Sequence, residues 1–183
     1  MDHSLWTVRD GPRGDLSFLA LDEGSEDSRA VEHAFSRCGF SADEWRVLHD
    51  APLRAFLWVA TADGPVRPRE REACRRVLLL GQFSPSPLVG LIYGEALGQL
   101  DVLSPERLRE APDLEPLRPL CERVAERLGL GEAARFRRCL LDVGWRVARA
   151  SNGLLGRLGR VREAERTALE AFTEVLEFPG LDG

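Results

Sequence analysis

The chain contains no lysine: all 25 of its basic residues are arginine. That absence removes Schiff-base chemistry, the phosphate-gripping lysine of Walker-type loops and lysine general bases. Histidine is scarce too. His3, His33 and His49 have no nucleophile motif or acid–base partner at a useful spacing, and they are read as solvated or hydrogen-bonded imidazoles. Cys38, Cys74, Cys121 and Cys139 include no close pair. A zinc site or redox dithiol needs Cys-x-x-Cys spacing, so all four are expected as reduced residues on apolar helix faces. No apolar run approaches the roughly 20 residues that cross a bilayer. Met1-Asp2-His3-Ser4-Leu5 lacks the basic and apolar blocks of a signal peptide, which makes the cytoplasm the expected compartment.

What remains is a pattern of helices. A length of 183 residues suits one domain, or two small repeats that share a core. The apolar fraction of 44% with 30% charged residues is that of a water-soluble globule rather than a disordered chain. Val31, Ala34, Phe35 and Cys38 recur at helical spacing and stop at Gly39. Ser41-Ala-Asp-Glu44 has the form of a capping box, with Phe40 and Trp45 as its hydrophobic staple. Pro52 reads as the start of a separate, central helix carrying Leu53, Phe56, Leu57, Val59 and Ala60. Further helices are expected over roughly 68–80, from Ser86-Pro87, briefly from Ser104-Pro105, over Leu117–Leu128, over 132–151 and over 162–176. Residues 1–24 differ. Leu5–Val8 and Leu16–Leu19 flank Asp10-Gly11-Pro12, the pattern of a short β-hairpin. The expected architecture is therefore all-α: an N-terminal extension over 1–24, a helical bundle over 25–178 and a tail over 179–183.

One supersecondary unit occurs twice. Phe56–Ala62 leads into Asp63-Gly64, Val66 and Glu70-Arg71; Trp145–Ser151 leads into Asn152-Gly153, Val161 and Glu165-Arg166. Beyond these points Ala73, Cys74 and Val77 stay in step with Ala168, Leu169 and Phe172. In Ala62-Asp63-Gly64-x-Val66-x-x-x-Glu70 and Ala148-x-Ala150-Ser151-x-Gly153 through Val161-x-x-x-Glu165, the sequence resembles the TerB-like (tellurite-resistance protein B) helical family. The resemblance spans roughly Ser41 to Leu176. It implies a bundle of two pseudo-repeated helix-loop-helix halves, no catalytic activity, an acidic cluster that binds a divalent cation, and work near the membrane in metal or chemical stress. Asn152 stands where such modules carry a second glycine.

Asp63, Glu70, Asn152 and Glu165 are the candidate metal ligands. A hard cation such as Ca²⁺ or Mg²⁺ takes about six or more oxygens, several of them carboxylate. A helix-ending Asp, a glycine turn and a Glu in the next helix's first turn can converge on one point. Glu165 and the Asn152 amide oxygen would arrive from the other half, with the three carboxylates within about 8–10 Å of one another. The same residues have a structural reading, since Asp-Gly makes turns and a Glu at the third helical position caps its helix. The run also departs from the EF-hand pattern.

Charge is uneven along the chain. Residues 135–162 hold eight arginines and one acid, a net of +7 in a chain totalling −5, so the rest sums to −12. Such asymmetry suits docking to an anionic membrane surface or an acidic protein partner. Arg135, Arg138, Arg146 and Arg149 are expected on a free helix face, with Arg157 and Arg160 extending it past the helix end. The alternative is internal pairing with the acidic half. Only Phe136 and Trp145 are aromatic in this stretch, and both sit on apolar stripes, so no base-stacking nucleic-acid surface is indicated. Two further functions remain open: a pure protein-interaction adaptor, and an enzyme that binds phosphate or a nucleotide through the loop of Gly153, Gly156 and Gly159. That loop matches neither the Rossmann nor the Walker spacing.

Overall fold

The computed structural model describes residues 39–151 and 161–177, and within them every regular element is helical. Six α-helices follow one another: α1 (Ala42–Ala60), α2 (Pro68–Gly81), α3 (Pro87–Asp101), α4 (Arg118–Leu128), α5 (Leu130–Ser151) and α6 (Glu163–Val175). Among the described residues no helix is long and apolar enough to cross a membrane. The expected hairpin over 1–24, the helix before Gly39, Asn152, Arg157, Arg160, the glycine loop and the tail over 179–183 lie outside the described residues.

α1 begins as its sequence dictates. Glu44 N–H donates to Ser41 Oγ at 3.2 Å, and Ser41 N–H donates to Glu44 Oε2 at 2.8 Å. Phe40 packs on Trp45 with ring centroids 6.3 Å apart, closing the staple. Trp45 in turn meets His49 edge-on at 4.6 Å, which makes that imidazole a packing element. The helix then runs straight through Pro52 to Ala60, so the two helices expected here are one. Pro52 cannot donate to the Leu48 carbonyl, a defect of about 3 kcal/mol in a helix interior. Leu48, Ala51, Leu53, Ala55, Phe56 and Leu57 are all buried on either side of it, and their continuous packing outweighs the loss.

Ser86 caps α3 by accepting from Val89 N–H at 3.1 Å, with Pro87 in the first turn. The helix expected from Ser104-Pro105 shortens to a 3₁₀ turn, Arg107–Arg109. Its sequence offers only Leu108 to the core, and Pro112 follows directly. A second 3₁₀ turn, Glu115–Leu117, leads into α4.

α5 is the axis of the bundle and touches every other helix. Its inward stripe is Phe136, Leu140, Val143 and Val147, all at most 1% exposed. Gly144 lies on the same face, where an added Cβ would come within 3.0 Å of Leu169 and 3.3 Å of Val59. The missing side chain thus lets α1, α5 and α6 approach one another. Trp58 of α1 donates through Nε1 to the Ala168 carbonyl of α6 at 2.9 Å, and Tyr93 donates its hydroxyl to the Cys139 carbonyl at 2.6 Å. Trp145 departs from expectation: it is 43% exposed, beside the apolar stripe rather than on it. The Arg149 guanidinium lies 6.0 Å from its ring centroid. Cys74 and Cys121 are buried, Cys139 is half-buried, and all three are free thiols. Burial pushes the Cys121 thiol up to about 11 and Cys74 higher still, which keeps both protonated and inert.

Candidate metal centre

The acidic site forms where the 61–67 connection and the start of α6 meet beside the end of α5. α1 ends at Thr61, and the chain turns through Asp63 and Gly64. Gly64 has φ 132° with nothing within 4 Å of a hypothetical Cβ, so conformation rather than space selects glycine there. Arg67 is then extended (φ −93°, ψ 152°), as a residue preceding proline prefers, and Pro68 opens α2. Glu70, at the third helical position, turns back and accepts the Arg67 backbone N–H through Oε2 at 2.7 Å. The start of α6 repeats this arrangement. Arg162 is extended (φ −65°, ψ 154°), and its N–H donates to Glu165 Oε2 at 3.1 Å. Each is the acidic half of a capping box, with an arginine where the hydroxyl residue would stand.

These caps aim their remaining oxygens at one another. One carboxylate oxygen from each of Asp63, Glu70 and Glu165 lies within 4.8 Å of the other two. Glu70 is fully buried and Glu165 is 1% exposed, while the Asp63 side chain is 11% exposed at the mouth. Glu70 Oε1 accepts from Arg67 Nη1 at 3.0 Å. Asp63 Oδ2 accepts from Arg67 Nη2 at 3.0 Å and also from Arg162 Nη1, across 99 positions of sequence. Ser151, at the end of α5, bonds through its hydroxyl to Glu165 Oε1. Asp63 Oδ1 is buried and has no hydrogen-bond partner among the described residues.

The balance of charge is one short of neutral: three carboxylates against two guanidinia. Partial burial pushes the Asp63 carboxyl up, but hydrogen bonds and charge from Arg67 and Arg162 prevail and hold it below the ordinary carboxylate range. Glu70 moves the other way. Burial raises it, and the Asp63 and Glu165 charges add to the rise against the opposing Arg67 bond and charge. The chemistry open to such a cluster is to hold a cation or a proton among its carboxylates. Oxygens on opposite sides of one Ca²⁺ stand about 4.6–5.2 Å apart, whereas Mg²⁺ at about 2.0–2.1 Å per ligand requires about 4.2 Å. Three carboxylate oxygens within 4.8 Å of one another are close enough to share a single cation of either size after small adjustments.

Sequence reasoning named Asp63, Glu70 and Glu165, which the structure brings together, and it missed Arg67, Ser151 and the inward role of Arg162. The signal available was the shared Arg-x-x-Glu of 67–70 and 162–165. Arg162 belongs by position to the basic segment 135–162, and its bond to Asp63 draws it into the site. The remaining described arginines of that face, Arg135, Arg138, Arg146 and Arg149, are all exposed. Arg135 pairs with Glu132 at 3.1 Å and Arg146 with Asp142 at 2.8 Å. Arg138 and Arg149 have no carboxylate within 4 Å among the described residues, so internal pairing covers part of the face and leaves part free. Comparison with protein-family models, characterised proteins and solved structures finds no match to this chain.

Proposed function

We propose that this protein is a non-catalytic, TerB-like helical module that binds a divalent cation such as Ca²⁺ or Mg²⁺ and serves as a sensor or scaffold in a metal or chemical stress response. The observation that carries this reading is the convergence of Asp63, Glu70 and Glu165 within 4.8 Å, two of them buried. Buried carboxylates in a net-negative group are costly unless paired or metal-bound. A cation entering there would displace the guanidinia from Asp63 Oδ2, use the unpartnered Oδ1, and complete its shell with the Ser151 hydroxyl and water. The matched Arg-x-x-Glu starts of α2 and α6 support the two-repeat reading of the bundle.

A second reading, a pure interaction adaptor, is favoured by one specific observation: Arg67 and Arg162 already bind the carboxylates. In that case the acids cap helices and tie α6 to the 61–67 connection, and a partner docks elsewhere. Calorimetric titration with Ca²⁺, Mg²⁺, Mn²⁺ and Zn²⁺ separates the two. Cation binding predicts heat with at least one of the four ions, and at least about ten-fold weaker affinity in Asp63→Ala. No heat with any of the four ions leaves helix capping as the role of Glu70 and Glu165, and the clasp on Arg67 and Arg162 as that of Asp63.

A further inference from the structure

A second charged feature lies between α2 and α5, outside the acidic cluster. It is an open cleft of about 440 Å³ lined by Arg69, Glu72, Ala73, Arg76 and Val77 of α2 and by Arg146, Arg149 and Ala150 of α5. The α2 residues fall at i, i+3, i+4, i+7 and i+8, and the α5 residues at i, i+3 and i+4, so each helix turns a single stripe toward the same space. The geometry points to a binding site for phosphate groups, gripped between Arg69 and Arg76 on one wall and Arg146 and Arg149 on the other.

Four guanidinia and one carboxylate line this cleft, and among the described residues only two of the four guanidinia, Arg76 and Arg146, pair with a carboxylate. Glu72 meets Arg76 at Nε, 2.9 Å away, and Asp142 meets Arg146 at Nε, 2.8 Å away. Both contacts are made at Nε, and the terminal nitrogens of these two forks have no carboxylate within 4 Å among the described residues. Arg69 and Arg149 have no carboxylate within 4 Å among the described residues. Planar forks with unused N–H pairs match the tetrahedral oxygens of phosphate bidentately. Ala73, Ala150 and Val77 supply a small apolar floor that neither fills the space nor competes for the donors. The volume falls within the roughly 300–1,000 Å³ typical of small-molecule sites, larger than one phosphate needs and suited to a pyrophosphate or a phosphorylated headgroup. No aromatic residue lines the cleft, so a stacked nucleobase is not part of the ligand. Trp145 is 43% exposed and lies 6.0 Å from the Arg149 guanidinium, and an amphipathic ring of this kind suits the polar boundary of a bilayer.

Two sources can present this chemistry: a soluble phosphate compound, or the headgroups of an anionic phospholipid. Both are tested with the full-length protein in buffer without divalent cations, so that the outcome is independent of the acidic site. One arm titrates pyrophosphate by calorimetry. The other measures co-sedimentation with vesicles of phosphatidylglycerol and, as control, phosphatidylcholine. Binding is expected in at least one arm, falling steeply with added salt. Arg69→Gln combined with Arg149→Gln is expected to weaken it at least about ten-fold, and Arg135→Gln combined with Arg138→Gln, outside the cleft, less than about two-fold. Arg69→Lys with Arg149→Lys keeps the charge but loses the fork; it should fall several-fold, and it serves as the readout if the Gln variant does not fold. Pyrophosphate heat alone assigns a soluble ligand, and preference for phosphatidylglycerol alone assigns a headgroup. The assignment is overturned if neither probe binds, if the control pair loses as much as the cleft pair, or if poly-glutamate binds as tightly as the phosphate probes.

Discussion

Adjacent residues on α2 face opposite problems. Glu70 is fully buried in the acidic cluster, while Arg69 lines the open cleft beside it. Inside, every charge has found a partner of opposite sign or a backbone donor: Glu70 with Arg67, Glu165 with Ser151 and the Arg162 N–H, Asp63 with two guanidinia. Outside, Arg69, Arg138 and Arg149 stand without carboxylate partners among the described residues. Burial explains the contrast. An unpaired ion in a low-dielectric interior costs several kcal/mol, and water removes that cost at the surface. Partnered charge therefore marks where the fold is held together, and unpartnered charge marks where it is free to meet something else.

The sharpest way to break the contrast is to remove one buried member. Glu165→Ala strips the acceptor from the Arg162 N–H and from the Ser151 hydroxyl, and it should cost about 2–3 kcal/mol in denaturant unfolding. A loss below about 0.5 kcal/mol would mean the buried caps are dispensable.

Acid and base should pull the neighbouring carboxyls in opposite directions. Asp63 is held below its ordinary value of 3.8, so its contribution to stability is present above that value and is lost as pH falls through the lower, folded one. Glu70 is raised above its ordinary 4.5, so its contribution is complete below 4.5 and is lost as pH rises through the folded value. Asp63→Asn should flatten the acid limb of a stability–pH profile, and Glu70→Gln the decline just above 4.5. Identical profiles for both variants would show that the two groups do not titrate as their surroundings dictate.

The smallest effect is expected on the exposed face. Arg138→Gln together with Arg149→Gln should shift the melting temperature by no more than about 2 °C. A larger drop would make these arginines internal supports after all.

Legibility in the sequence followed the range of the interactions involved. The Ser41–Glu44 capping box and the Ser86-Pro87 start are local chemistry, complete within four residues, and the structure contains both. Pro52 misled because the proline rule is local, while the packing that overrides it comes from other helices. Ser104-Pro105 misled for the opposite reason: a start signal with almost no apolar face behind it yields only one turn. Asp63, Glu70 and Glu165 could be named because each occupies a recognisable turn or cap position. Ser151 carries no such mark, and its part depends on how α5 ends against α6. The cleft was half visible. A count along one segment found Arg146 and Arg149, but their counterparts Arg69 and Arg76 lie some seventy positions away on another helix.

The bond from Trp58 to Ala168 and the clasp from Arg162 to Asp63 join positions 110 and 99 apart in the chain. Closing loops of that size comes late, after local helices and their neighbours have formed. On this argument the acidic site is expected to be completed when α6 settles onto α1 and α5, an order that folding and unfolding rates of Glu165 variants would test. An ion bound there would add little to the speed of folding. It would act as a brake on the reverse step, lengthening the lifetime of the docked helix, because contacts absent from the transition state are felt in the unfolding rate.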